Sequence, residues 1–375
     1  MVEVISQRSE NGKLFDTGKR RRRLETSTGA IHYKDDYTDH KEPWKEVDLT
    51  WEGNRITRAP YELTVDGTKL TLRDKKTGEV STLELLSCTP AGLQWEIIPE
   101  IHKVGFRHTL LPDKVPFEAR FKVSGNIPLR SRAFDDKGEL PLDITLKDGI
   151  LTERLSSIIR EPVGKIRIDP TWSIVTGTDD VFRRLTPDFF DRGYNPIRVG
   201  TYLVTTTNKC GGGWRYTNIT IPQGATISSA SLYVRANDSG NAEVCNSRIS
   251  AEDIDNAGVI INDAATFDAR WAARTAARVD WDAIPVWAEG SYHSSPDISA
   301  VIKEVVDRGG WVSGNAMLIF WDDFENRSTD ANGCYRSVYA YEGGPVYAVK
   351  LIIDFEDIQA QAAAMGHKMV AAGLI

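Results

Sequence analysis

Three acidic loops carry the densest oxygen donors in the sequence: Asp179-Asp180, Asp253 with Asp255, and Asp322-Asp323 with Glu325. Hard carboxylate oxygens grouped in this way can hold calcium, which collects several such ligands. Their spacing matches no EF-hand loop, and acids in surface loops are ordinarily solvated. A structural calcium at Asp179, Asp180, Asp253 and Asp255 is the one cofactor the residues leave open. The six histidines (His32, His40, His102, His108, His293, His367) show no H-E-x-x-H or other metal spacing. No G-x-S-x-G, P-loop or dinucleotide fingerprint is present. Carboxylates are plentiful, but a glycosidase pair is defined in space, which sequence spacing alone does not reveal. The chain is therefore expected to bind or assemble, without catalysis.

Aromatic residues are the next candidates. Trp271, Trp281, Trp287, Trp311, Tyr292 and Tyr341 could form a stacking platform for sugars, or could simply fill a core. Trp281 and Trp311 read as core. Trp214 follows Cys210-Gly211-Gly212-Gly213, a run that reads as flexible, so an exposed contact is expected there. Ligand binding is accordingly assigned to Trp214, Tyr292 and Tyr341. The basic run Lys19-Arg20-Arg21-Arg22-Arg23 could meet an acidic partner, but a net charge of −7 argues for a solvated strand. The four cysteines (Cys88, Cys210, Cys245, Cys334) are too few and scattered for a zinc site or a disulfide framework. Buried free thiols are expected, with one bridge among the last three left open.

These residues must be positioned by a chain of 375 residues, a comfortable length for two domains. Hydrophobic residues at 41% and charged residues at 26% are ordinary for a globular protein. The acidic balance argues against bulk nucleic-acid binding, and no apolar stretch is long enough to span a bilayer. Met1 to Asp16 has no apolar core of a secretory signal, so synthesis and assembly in a cytoplasm are expected.

Short β-type runs broken by Gly, Asp, Asn and Pro dominate. Tyr61-Glu62-Leu63-Thr64-Val65, then Asp66-Gly67, then Lys69-Leu70-Thr71-Leu72-Arg73 alternate around a D-G turn, a strong hairpin signal. Phe117 to Val123 alternates again. The predicted fold is mainly β: an antiparallel β meander or sandwich module over 1–162, a jelly-roll-like β-sandwich over 163–355, and a helical tail over 356–375. Later strands are expected at Lys165–Pro170, Tyr202–Thr206, Arg215–Ile221, Ser229–Arg235, Val244–Ala251, Ala316–Trp321 and Val346–Phe355. A helix is expected after Ser295-Pro296-Asp297, with Ser295 as its cap and Ile298, Val301, Ile302 and Val305 as one apolar stripe. In the tail, Ile358, Ala362, Met365, Met369 and Leu374 recur at near-helical spacing and suit an assembly contact.

The second half resembles the DNRLRE-type carbohydrate-binding-like β-sandwich found in large bacterial surface proteins and in phage virion proteins. Ile168-Asp169-Pro170-Thr171, the run Thr220-Ile221-Pro222-Gln223-Gly224-Ala225-Thr226-Ile227-Ser228-Ser229-Ala230, and Gly310-Trp311-Val312 carry the likeness. The first half is similar to a module that precedes such sandwiches near the start of Rhs-like wall proteins, through Leu14-Phe15-Asp16-Thr17-Gly18, Gly29-Ala30-Ile31-His32-Tyr33 and Trp44-Lys45-Glu46-Val47. The resemblance implies a non-catalytic phage virion component: a capsid decoration, head-fibre or tail-associated protein. Its partners would be other copies of itself and virion proteins, with no nucleic acid and no membrane. The alternative it implies is a carbohydrate-binding adhesion module at a cell surface, with a surface polysaccharide as partner.

Overall fold

A computed structural model describes residues 1–135, 138–156, 162–173, 179–186, 188–201, 209–238, 244–328, 334–344 and 346–356. The chain divides into two compact units, one formed by Met1–Ile31 with Gly177–Ile375, the other by His32–Thr176. Both are antiparallel sandwiches, so the expected mainly β class holds.

The boundary expected at residue 162 is corrected at both ends. Strands β1 (Gly12–Gly18) and β2 (Arg21–Ser27) form a hairpin whose turn residues Lys19 and Arg20 both adopt positive φ. This hairpin belongs to the second-half unit, where β2 pairs with the last described strand. The basic run is therefore a turn followed by a strand. Arg23 makes a bidentate ion pair with Asp354 at 2.9 and 2.8 Å, and Arg22 reaches Asp16 at 3.1 Å.

The inner unit follows. Strands β3 (Tyr61–Asp66), β4 (Lys69–Asp74) and β5 (Val80–Thr89) meander as the D-G turn predicts, with Gly67 at φ 58°. Strand β6 (Lys103–Leu110) belongs to the opposite sheet, while β7 (Phe117–Ser124) returns beside β5. Strands β8 (Leu129–Asp135), β9 (Ile150–Leu155) and β10 (Ile166–Ser173) complete the frame. Strand β10 lies between β6 and β8 and so closes this unit, where the sequence reading had it open the next. Leu63, Leu72 and Phe121 from one sheet meet Phe106, Ile168 and Trp172 from the other in one buried core. Each such side chain contributes about 1.5–3 kcal/mol by leaving water.

The second unit continues with β11 (Asp180–Arg184), β12 (Ile197–Thr201), β13 (Lys209–Tyr216), β14 (Ile227–Arg235), β15 (Cys245–Ala251), β16 (Val279–Ile284), β17 (Tyr292–Ser294), β18 (Met317–Asp322), β19 (Tyr335–Val338) and β20 (Lys350–Glu356). One sheet runs β1-β2-β20-β14-β17; the other carries β11-β13-β18-β15-β16, with β12 joining β13 to β19. Leu24, Leu232 and Ile353 pack from the first sheet against Trp214, Ile319 and Trp321 from the second. The Pro222–Ala225 turn forms as read, closed by Ala225 N–H to the Pro222 carbonyl at 3.1 Å, with Gly224 at φ 69°. The strand expected over Arg215–Ile221 is instead the end of β13 followed by a loop, because it begins six residues earlier, at Lys209.

Helix α1 (Ala264–Ala272) was not anticipated; Asp263 caps it by accepting from Thr266 N–H at 2.7 Å. Helix α2 (Ser299–Val306) presents the expected stripe, with Val301, Ile302 and Val305 fully buried. It starts later than predicted. Ser295 accepts from Leu232 N–H at 3.0 Å, which spends its hydroxyl on β14, and Asp297 takes over at the helix entrance by accepting from Ser299 N–H at 3.0 Å. The strand read at Tyr202–Thr206 and the tail residues Ile358, Met365, Met369 and Leu374 lie outside the described residues. Among the described residues no helix is long and apolar enough to cross a membrane.

Candidate functional site

Trp214 is no surface contact. It is fully buried in β13, 6.1 Å from the ring of Trp321. The glycine run before it is strand, not hinge. A Cβ on Gly211 would lie 2.3 Å from that of Asp322, one on Gly212 2.7 Å from Ile197, and one on Gly213 2.7 Å from Phe267. Three consecutive glycines thus let β13 sit tightly between its neighbours. Trp281, Trp287 and Trp311 are core as well, as expected for Trp281 and Trp311. Trp271 is partly exposed and donates from its indole to Asp322 at 2.9 Å.

Tyr341 is corrected in the same direction. Its hydroxyl donates to the Ala30 carbonyl at 3.2 Å, its backbone N–H donates to Asp180 at 2.8 Å, and no side chain fits at Gly29 because a Cβ there would meet the ring at 2.1 Å. It anchors the segment that follows β2.

The four acids considered for calcium sit apart, in two structural arrangements. Asp179 is half of an ion pair with Arg215 at 2.8 Å, and burial pushes its carboxyl above the usual range. Asp180 is buried, and burial pushes it up to about 7. Asp253 and Asp255 both face Arg308, the latter at 2.7 Å. These four acids do not converge as a ligand group. Glu325 is likewise claimed by Arg248, Arg274 and Arg278. Asp322, read with them, is buried and pushed up to about 7 by that burial. Arginine takes the place of a cation at Asp179, Asp253, Asp255 and Glu325.

None of the four cysteines is in a disulfide. Burial pushes the Cys88 thiol up to about 11 and the Cys245 thiol up to about 12, which favours the protonated forms.

Tyr292 alone among the expected contacts is exposed, at 46%. Alternation builds its surroundings. In β14, Ala230, Leu232 and Val234 point inward, so Tyr233 and Arg235 face out. The register sets Arg235 opposite Tyr292 on β17, and Tyr233 stacks on Tyr292 with centroids 5.2 Å apart and planes 9° from parallel. Tyr339 and Tyr347 close the other side, 5.3 Å from each other. Arg235 lies over three rings: 3.8 Å from Tyr347, 5.1 Å from Tyr339 and 5.7 Å from Tyr292. The Gly290 carbonyl accepts from its Nε at 3.2 Å and holds the guanidinium in place. Gly290 has φ 76°, and a Cβ there would come within 3.2 Å of that group.

Flat aromatic faces beside an oriented cation can stack on a sugar ring and donate hydrogen bonds to its hydroxyls, or can anchor a protein partner. Tyr233 and Arg235 were legible in the outward positions of Ser229–Arg235. Tyr339 and Tyr347 carry no local signal, because they arrive from loops after β19 and before β20.

No family model matches the chain, and no curated protein matches it. Among solved structures, it overlaps an exo-β-1,3-galactanase from Phanerochaete chrysosporium at 10% identity and TM-score 0.18, over 93% of this chain and 84% of that one. It also overlaps the N-terminal domain of a Streptococcus gordonii adhesin at 7% identity and TM-score 0.16, over 88% of each. TM-scores this low do not establish a shared fold.

Proposed function

We propose that this chain is a non-catalytic binding and assembly protein, a structural component of a phage virion that decorates the head or tail. One observation carries the binding role: tyrosine and arginine side chains suited to recognition gather on an open face around Arg235. The virion setting rests on the resemblance of residues 168–355 to sandwiches that occur in such particles. Symmetric self-association is the natural form of a decoration protein. Light scattering after size exclusion, on the full chain and on a truncation ending at Phe355, tests it. A defined oligomer that becomes monomeric on truncation supports the assembly role; two clean monomers of equal stability sink it.

The stacked pair Tyr233–Tyr292 favours a second reading, a carbohydrate-binding module. Retardation of the protein in polysaccharide-containing native gels, weakened about tenfold by Tyr292→Ala, would decide for it.

A further inference from the structure

A lysine and an aspartate are buried together in the second unit, at the edge of the β13–β18 pairing. Lys209 opens β13, Asp323 directly follows β18, and their side chains are 5% and 0% exposed. Lys209 Nζ lies 3.5 Å from Asp323 Oδ2 and donates to Thr201 Oγ1 at 2.6 Å. The carboxylate is oriented by backbone donors: Arg327 N–H points at Oδ1, and Ser328 N–H lies 3.3 Å from Oδ1 and 3.2 Å from Oδ2. Taking two charges out of water is costly, and such a pair often contributes little net stability. An amide in the same place would bury no charge.

We propose that Lys209 and Asp323 condense into an intramolecular amide cross-link. Proton transfer within the buried pair leaves a neutral amine and a neutral acid. The amine lone pair attacks Asp323 Cγ, forming the C–N bond. Oδ1 takes up the developing negative charge, where the Arg327 and Ser328 N–H groups donate to it. A proton passes from nitrogen to Oδ2, which lies beside it, the C–Oδ2 bond breaks, and one water leaves. No oxidant, reductant or cofactor enters. The product ties together residues 114 apart in sequence and constrains the unfolded chain as a disulfide would, in a protein whose cysteines form no disulfide.

Mass spectrometry of the purified, denatured full chain tests it. The expected mass is that of the sequence less one water. A digest should hold a branched peptide joining the Lys209 and Asp323 segments, and the unreduced protein should run faster than Lys209→Arg on a denaturing gel. A full-mass protein with Lys209 recovered in a linear peptide overturns the proposal. So does a water loss that maps to any other site. Asp323→Asn keeps the shape and offers a leaving ammonia in place of water; a mass deficit of one ammonia with the same branched peptide supports the assignment even if Lys209→Arg fails to fold.

Discussion

The guanidinium of Arg235 lies 3.8 Å from the centroid of Tyr347, a residue that reaches it from a loop more than a hundred positions along the chain. Tyr339 and Tyr292 flank the same cation, so one outward-facing residue of β14 organises aromatic side chains from three other segments. Cation–π contacts at exposed sites are worth about 0.5–1 kcal/mol each. Arg235→Ala should therefore loosen the patch while changing stability by about 1–2 kcal/mol. Tyr292→Ala, at an exposed position, should cost less than about 1 kcal/mol. Both should weaken retention on whichever polysaccharide retards the parent protein by about tenfold, read by affinity electrophoresis. Undiminished retention would remove the patch from the binding surface.

Trp214 should behave as a core residue. Trp214→Ala is expected to cost about 3–5 kcal/mol through lost burial and the cavity left behind. A denaturant melt that stays within about 1 kcal/mol of the parent would contradict its placement.

Gly213→Ala probes the same strand from the opposite side. The added methyl meets the Phe267 ring at 2.7 Å, so a loss of about 1–3 kcal/mol from overpacking is expected. Gly258→Ala, where nothing lies within 4 Å, serves as the control.

The inner unit should carry an opposed pH dependence. Burial pushes the Glu153 carboxyl up to about 7, with Asp169 adding to the shift and Ser131 easing it. Its folded pKa lies above the unfolded value, so stability is greatest below about pH 4.5, falls as pH rises toward 7, and is flat beyond. Burial holds the His108 imidazole down to about 4. Its folded pKa is depressed, so stability falls as pH drops from about 6.5 toward 4. Glu153→Gln should raise stability at pH 8 by about 3 kcal/mol and leave it nearly unchanged at pH 4.5, measured by thermal melts across that range. A gain of equal size at both pH values would show that the carboxylate charge is not responsible.

Chelation should leave the melting temperature unchanged. Asp253 and Asp255 are held by Arg308, and Asp179 by Arg215. A drop of several degrees with EGTA, restored by calcium, would show that an ion is bound despite these pairs.

Period-two alternation and turn chemistry were enough to place several elements from sequence. The D-G hairpin of β3 and β4, the Pro222–Ala225 turn, the inward face of β14 and the apolar stripe of α2 are all local patterns, decided by how side chains alternate or recur along one segment. Partners distant in the chain were not legible. That β2 pairs with β20, setting Leu24 opposite Ile353, depends on which edges are left open once the sheets form. Gly211 to Gly213 look like a hinge in isolation and become a strand only because their neighbours leave no room for a Cβ. Tyr341 and Trp214 read as contacts because an aromatic ring suits a surface as well as a core; only packing tells the two apart. Asp179, Asp253, Asp255 and Glu325 looked free for a cation until folding brought arginines from distant segments against them. Charge neutralisation is a property of three-dimensional proximity, and sequence spacing does not encode it.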